Sequence, residues 1–279
     1  MFREALDYPT RPPAGGRAVL IGGALLLLLF MLVVAGSLGP VYVLLSLLAL
    51  LPWLIVRGYY VQVVRTTIGH DYPTPPQFTE YGRLLSDGFK ALVIAVLYVL
   101  PAVVVLGPLI YIRSLDVDLG TVLAAAGLPS AFVTPALSGI GMVALFAFMY
   151  LIGALYAIPV GVALFAYTGR FRAAFDLQTV ASGAGSEDYV VAWFVSLLLQ
   201  VLLLPIAYAL RVLLIGFFIH FLVSMAVRYC YGRGVGRALD LDPLVPDKAT
   251  EPSDGTPWDE EALTPAVRPV SDSADSDRR

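Results

Sequence analysis

The sequence predicts an all-α protein, a polytopic helical membrane bundle of six spans, and three observations carry that prediction. Of 279 residues, 58% are hydrophobic and only 14% charged, and the mean hydropathy is +0.80. A soluble domain carries about a quarter charged residues. The apolar residues also fall in uncharged runs of about 18 or more, the length at which a helix rising 1.5 Å per residue crosses a ~30 Å hydrocarbon core. Finally, the basic residues between the runs alternate in density, as they do when one face of a membrane is cytoplasmic.

The first 17 residues form a polar leader to the bundle, expected to be cytoplasmic. The first span is predicted over 18–36. Its apolar stretch exceeds the 7–15 residues of a secretory signal core, so it is expected to stay as a span. Ser37–Pro40 reads as a tight turn, and the second span covers 41–64.

The next stretch interrupts the apolar pattern. Phe78, Tyr81, Leu84, Leu85, Phe89 and Leu92 recur at three- and four-residue intervals, whereas Glu80, Arg83, Asp87 and Lys90 favour the opposite face. Pro75 and Pro76 break the chain before it, and Thr79 is placed to cap a helix. A straight helix from here to Ile112 would be about 50 Å long. An interfacial amphipathic elbow over 78–88 is therefore expected, bending near Asp87–Gly88 into the third span, 89–112. The fourth span covers 137–167, followed by a second, weaker elbow over 170–182. The last apolar run, 189–229, is about 60 Å long as a helix, twice the hydrocarbon thickness. It must fold into a hairpin, and Pro205–Arg211 is the natural corner, giving spans 189–206 and 212–229.

Residues 18–239 thus form the membrane domain, and 240–279 a polar tail. The tail carries a net charge of −7 and the rest +4. Rich in Pro, Asp, Glu and Ser, the tail is expected to be disordered and cytoplasmic. Within it, Trp258, Leu263 and Val267 punctuate acidic residues, a candidate motif for docking a cytosolic partner. With the N-terminus inside, twelve basic residues lie on cytoplasmic pieces and two, Arg113 and Arg211, outside. That bias places both termini in the cytoplasm and the protein in the cell membrane.

The motifs "RGYYVQVVRTTIG" (57–69) and "PPQFTEYGRLLSDGFKALVI" (75–94), with "GRFRAAFD" (169–176) and "RYCYGRG" (228–234), resemble the multi-pass membrane proteins grouped as domain-of-unknown-function family 4013, common in halophilic archaea. The likeness covers residues 1–240 and omits the tail. It implies a membrane domain of about six helices and supplies no activity. Only two of 18 basic residues are lysine, which with the acidic tail would suit a high-salt cell.

Chemical activity finds little support. One cysteine, Cys230, excludes a disulfide framework or multi-thiolate site, and His70 and His220 lie too far apart in sequence for a His-rich metal centre. "DVDLG" (116–120) lacks the later ligands of a calcium loop, and "GRGVGR" (232–237) follows a membrane helix rather than a strand, so it reads as a helix stop with basic anchors. No cofactor, metal, nucleic acid or catalytic residue is expected, and an enzyme is not. The span cores, as placed here, lack ionisable residues, which argues against carriers of charged substrates. Their polar exceptions are Gln200 and His220, at similar depth on adjacent helices, where an interhelical hydrogen bond is expected. Gly153, Ala157 and Gly161 form a small-residue ridge for helix packing in the bundle or in a homo-oligomer. The leading expectation is a non-enzymatic scaffold or accessory subunit in contact with lipid and with membrane or cytosolic partners. The alternative is a transporter or permease for a neutral or lipid-like substrate.

Overall fold

The computed structural model describes residues 2–39 and 42–244. Its elements, all helical among the described residues, are α1 (Phe2–Asp7), α2 (Gly15–Gly36), α3 (Val43–Leu48), α4 (Leu50–Thr67), α5 (Tyr81–Ser114), α6 (Leu119–Ala125), α7 (Ser130–Thr168), α8 (Leu177–Ala184), α9 (Glu187–Ala209) and α10 (Ile215–Ala238). Among the described residues six stretches are long and apolar enough to cross a membrane: α2, α3 with α4, α5, α7, α9 with the turn after it, and α10. The architecture is the all-helical bundle that the apolar runs predict. The docking motif at Trp258, Leu263 and Val267 lies outside the described residues.

The bundle is organised around α10, which is packed along most of its length and lies against α9, α4 and α2. Close approach there depends on glycine. A Cβ on Gly22 would stand 2.1 Å from the Phe221 ring, and one on Gly23 2.3 Å from that of Phe218. Gly232, Gly234 and Gly236 follow the same logic. Cβ atoms there would meet Thr67 Oγ1 at 1.9 Å, Ala192 Cβ at 2.3 Å and Gly69 N at 3.0 Å. The "GRGVGR" stretch is therefore no helix stop: α10 continues through it to Ala238, and its glycines let α4 and α9 press in from two sides. Cys230 is buried in this core.

The expected first elbow is also corrected. α5 starts at Tyr81, with Glu80 in the left-handed region (φ 54°) and no side-chain cap from Thr79, and runs unbroken past Asp87–Gly88 and two prolines to Ser114. Asp87 and Gly88 are buried against α4. A Cβ on Gly88 would stand 2.0 Å from Leu54 O, and one on Gly58 1.8 Å from Leu84 O, so the two backbones touch. The carboxylate of Asp87 accepts from Arg65 at 3.1 Å, and Arg65 Nε donates to Ala166 O at 2.7 Å, joining α4, α5 and α7. The stretch of the second expected elbow, 170–182, holds a 3-10 turn, Phe171–Phe175, and most of α8, which buries Val180 and Gly183. Tyr98 donates to Ala174 O at 2.6 Å and ties this piece down.

Other tethers gather the polar connections at the same end. Tyr59 stacks on Phe78 at 4.1 Å and donates to Pro76 O at 3.0 Å. Arg11 donates to Pro73 O at 3.1 Å, and Arg233 to His70 O. At the opposite end, α9 passes through Pro205 to Ala209, and the corner falls at Leu210–Leu214, a little later than the proline suggests. "DVDLG" caps a helix: the Asp118 carboxylate accepts from Thr121 N at 3.0 Å and starts α6.

Candidate functional site

The helices leave space between them where α4, α5, α7, α9 and α10 converge. On α4, Trp53, Arg57, Tyr60, Val61 and Val64 fall at helical intervals on one face. On α10 the corresponding face carries His220, Ser224, Val227, Arg228 and Tyr231. α5 presents Ala91, Ala95 and Val99, whose short side chains leave room, and α7 presents Leu155, Ile158, Pro159 and Val162. The resulting cavity is about 440 Å³. A second chamber of about 250 Å³ reaches toward α2 and is lined by Leu26, Trp53 and His220. Arg57, Tyr60, Gln200 and Arg228 line both.

Gln200 and His220 thus share a chamber without the hydrogen bond expected between them. Gln200 Nε2 donates to Ser196 O in its own helix at 3.1 Å. His220 stands edge-on to Tyr208 with ring centroids 5.5 Å apart, and its Nδ1 is buried without a partner among the described residues. The small-residue ridge divides. Gly161 packs inside the bundle, where a Cβ would stand 2.9 Å from the Tyr98 hydroxyl, whereas Gly153 is exposed, with nothing within 4 Å. Ala157 lies between them, partly buried.

The residues that sequence reasoning missed are the arginines. Arg57 and Arg228 fall within the expected spans 41–64 and 212–229 yet count there among the cytoplasmic charges; α4 runs on to Thr67 and α10 to Ala238. Each arginine therefore lies ten residues, about 15 Å, before the C-terminal end of its helix. Neither has a carboxylate within 4 Å among the described residues, and no Asp or Glu lines either chamber. Aromatic rings attend both: Arg57 lies over Trp53 at 4.6 Å, and Arg228 over Tyr60 at 5.1 Å and Tyr231 at 5.8 Å. A cation–π contact returns about 0.5–2 kcal/mol, whereas a central arginine costs roughly 2.5–3.5 kcal/mol in a spanning helix. The single ring beside Arg57 does not offset its charge, while the two beside Arg228 come close to doing so; ionisable residues within spanning segments mark functional paths.

One side of the cavity is thinly joined. α9 packs along α10 and α7 along α5, with no comparable packing between α7 and α9. Tyr156 bridges that seam, 5.1 Å from Tyr189 and 5.3 Å from Trp193, while Tyr189 donates to Tyr156 O at 2.6 Å. Beside this bridge an almost wholly apolar groove of about 410 Å³ is lined by Ile152, Gly153, Leu155, Tyr156 and Trp193. Leu155 lines both groove and cavity.

No curated protein and no solved structure matches the chain. Residues 41–215 match the family described as protein of unknown function (DUF4013), a segment that holds Arg57, Gln200 and the seam but ends before Arg228. With most of its length matched, from α3 through α9, the chain belongs to the DUF4013 family, whose members are proteins of unknown function.

Proposed function

We propose that this integral membrane protein is a non-enzymatic binding protein or permease for a lipid-like molecule, taken up in the cavity between α4, α5, α7, α9 and α10. The observation that carries this reading is the cavity itself, about 440 Å³ and adjoined by a second polar chamber, with intramembrane Arg57, Arg228, Gln200 and His220 on its walls. Sites of 300–1,000 Å³ with few polar groups among apolar ones are typical of small-molecule binding.

An accessory subunit is the other reading. Its docking face would have to be one of the exposed helix surfaces, such as Phe132, Met142, Phe146 and Met149 on α7. Any spanning helix shows such residues to lipid, so this exposure favours neither reading. With Arg57 and Arg228 removed from the count because they line the cavity, a bias of ten basic residues against two still supports a cell-membrane location with both termini cytoplasmic. The lysine-poor composition, with the likeness noted in the sequence motifs, supports an archaeal origin.

Native mass spectrometry of the full chain, tagged at its native locus and extracted in mild detergent, tests the reading. Lipid or solute retained at near-unit stoichiometry, and reduced in Gln200→Leu, is expected. A stoichiometric protein partner on an otherwise empty chain would replace this reading with the accessory subunit.

A further inference from the structure

The charge in the cavity says what kind of molecule it would hold; this inference rests on the cavity reading above. The walls carry two guanidinium groups and no carboxylate. Among the described residues Asp87 is the one acid buried in the bundle, and Arg65 already takes it at 3.1 Å. The arginines therefore have no counter-charge among the described residues. Guanidinium is the side chain best matched to phosphate and carboxylate, because its planar fork donates two parallel hydrogen bonds. Tyr60, Tyr231 and Gln200 stand beside the pair with further polar atoms.

A second, independent feature concerns the rest of the molecule. The groove at the α7–α9 seam is almost purely apolar, and it meets the charged cavity at Leu155. Gly153 leaves open space on its floor, and Trp193 forms its wall. A cationic chamber and an apolar groove that share Leu155 as a wall together make the negative image of an anionic amphiphile.

We propose that the cavity holds the anionic headgroup of a membrane lipid between Arg57 and Arg228, its chain leaving through the α7–α9 seam into the groove at Gly153 and Trp193. Entry is from within the bilayer, past Leu155. The substrate is lipid-like, within the neutral or lipid-like class that the span cores suggest, but carries a charge at one end, which those cores argued against.

The test uses full-length protein in mild detergent and reads quenching of its tryptophan fluorescence by dibrominated-chain phosphatidic acid. Phosphatidylcholine of the same chains and inorganic phosphate are the comparisons. Phosphatidic acid should bind about tenfold or more tighter than phosphatidylcholine. Arg57→Gln and Arg228→Gln should bring it to the phosphatidylcholine level, and Arg57→Lys, which keeps the charge, should retain the preference. Leu155→Phe narrows the seam at a half-exposed position without touching either arginine, and should weaken phosphatidic acid binding by several-fold. Inorganic phosphate in large excess should not compete. Equal binding of both lipids, insensitive to the arginine variants, would overturn the anionic headgroup and leave the cavity reading standing. Arg-dependent binding of inorganic phosphate with no preference for the lipid would overturn the lipid source. Quenching by neither lipid, with no phosphate binding, would remove both proposals together.

Discussion

Gly58→Ala adds one methyl group at the crossing of α4 and α5, where the structure leaves no room for it. The new Cβ would lie 1.8 Å from Leu84 O, 2.5 Å from Leu84 C and 2.8 Å from Leu84 Cα. Real Cβ contacts essentially never fall below 3.0 Å, so α5 must retreat by at least about 1.2 Å. All three obstructing atoms are backbone, and no rotamer change relieves them. Overpacking of this kind costs about 1–3 kcal/mol. Alanine is also the better helix former by about 1 kcal/mol, so the intrinsic preference acts in the opposite direction. Gly82→Ala and Gly153→Ala isolate that preference, because both residues are helical and nothing lies within 4 Å of either new Cβ. Thermal unfolding of detergent-solubilised protein should place Gly58→Ala several degrees below wild type and both controls at or slightly above it. If Gly58→Ala melts with the controls, α4 and α5 do not touch backbone to backbone, and the packing argument fails.

Asp87→Asn removes the counter-charge of Arg65 while keeping an acceptor oxygen. A loss of about 2–3 kcal/mol is expected, below the usual 3–5 kcal/mol for breaking a buried pair, and it should appear as a lowered unfolding midpoint. The Asp176 carboxylate accepts from Thr179 Oγ1 at 2.7 Å and from Thr179 N, which holds its carboxyl below the ordinary range. This cap is fully formed above the ordinary aspartate range and lost as pH falls through the lowered value, so amide exchange in α8 should rise there and be pH-independent in Asp176→Asn. Cys230, the single thiol, is buried, so a maleimide should label it only as the protein unfolds, and rapid labelling of folded protein would contradict the packing of α10.

The spans were legible in the sequence because crossing a bilayer is a matter of length and uninterrupted apolarity. What happens where charges enter that pattern was less so. Around Asp87 the three-and-four spacing of Phe78, Tyr81, Leu84 and Phe89 is shared by a surface elbow and by a span whose polar face is satisfied from another helix. Arg65 decides between them, and it is 22 residues away in sequence. Arg57 and Arg228 lie within the expected spans 41–64 and 212–229, but near their ends they count as cytoplasmic anchors, because basic residues usually flank spans. The signal that marks Arg57 as internal is the run Gly58–Val64, uncharged and amphipathic at helical spacing with Trp53 and Tyr60. The glycines at 232, 234 and 236 look like a helix end, since glycine disfavours helix in isolation. Only the neighbouring helices supply the contacts that reverse that preference.

The backbone crossing of α4 and α5 has a mechanical consequence. With Gly58 and Gly88 interlocked and Arg65 bound to both Asp87 and Ala166, these two helices form a stiff beam. α10, wedged by glycine against α2, α4 and α9, braces it from behind. Tightly packed walls do not yield gradually. Any widening of the interior is therefore easiest at the α7–α9 seam, which the Tyr156–Tyr189–Trp193 contact closes.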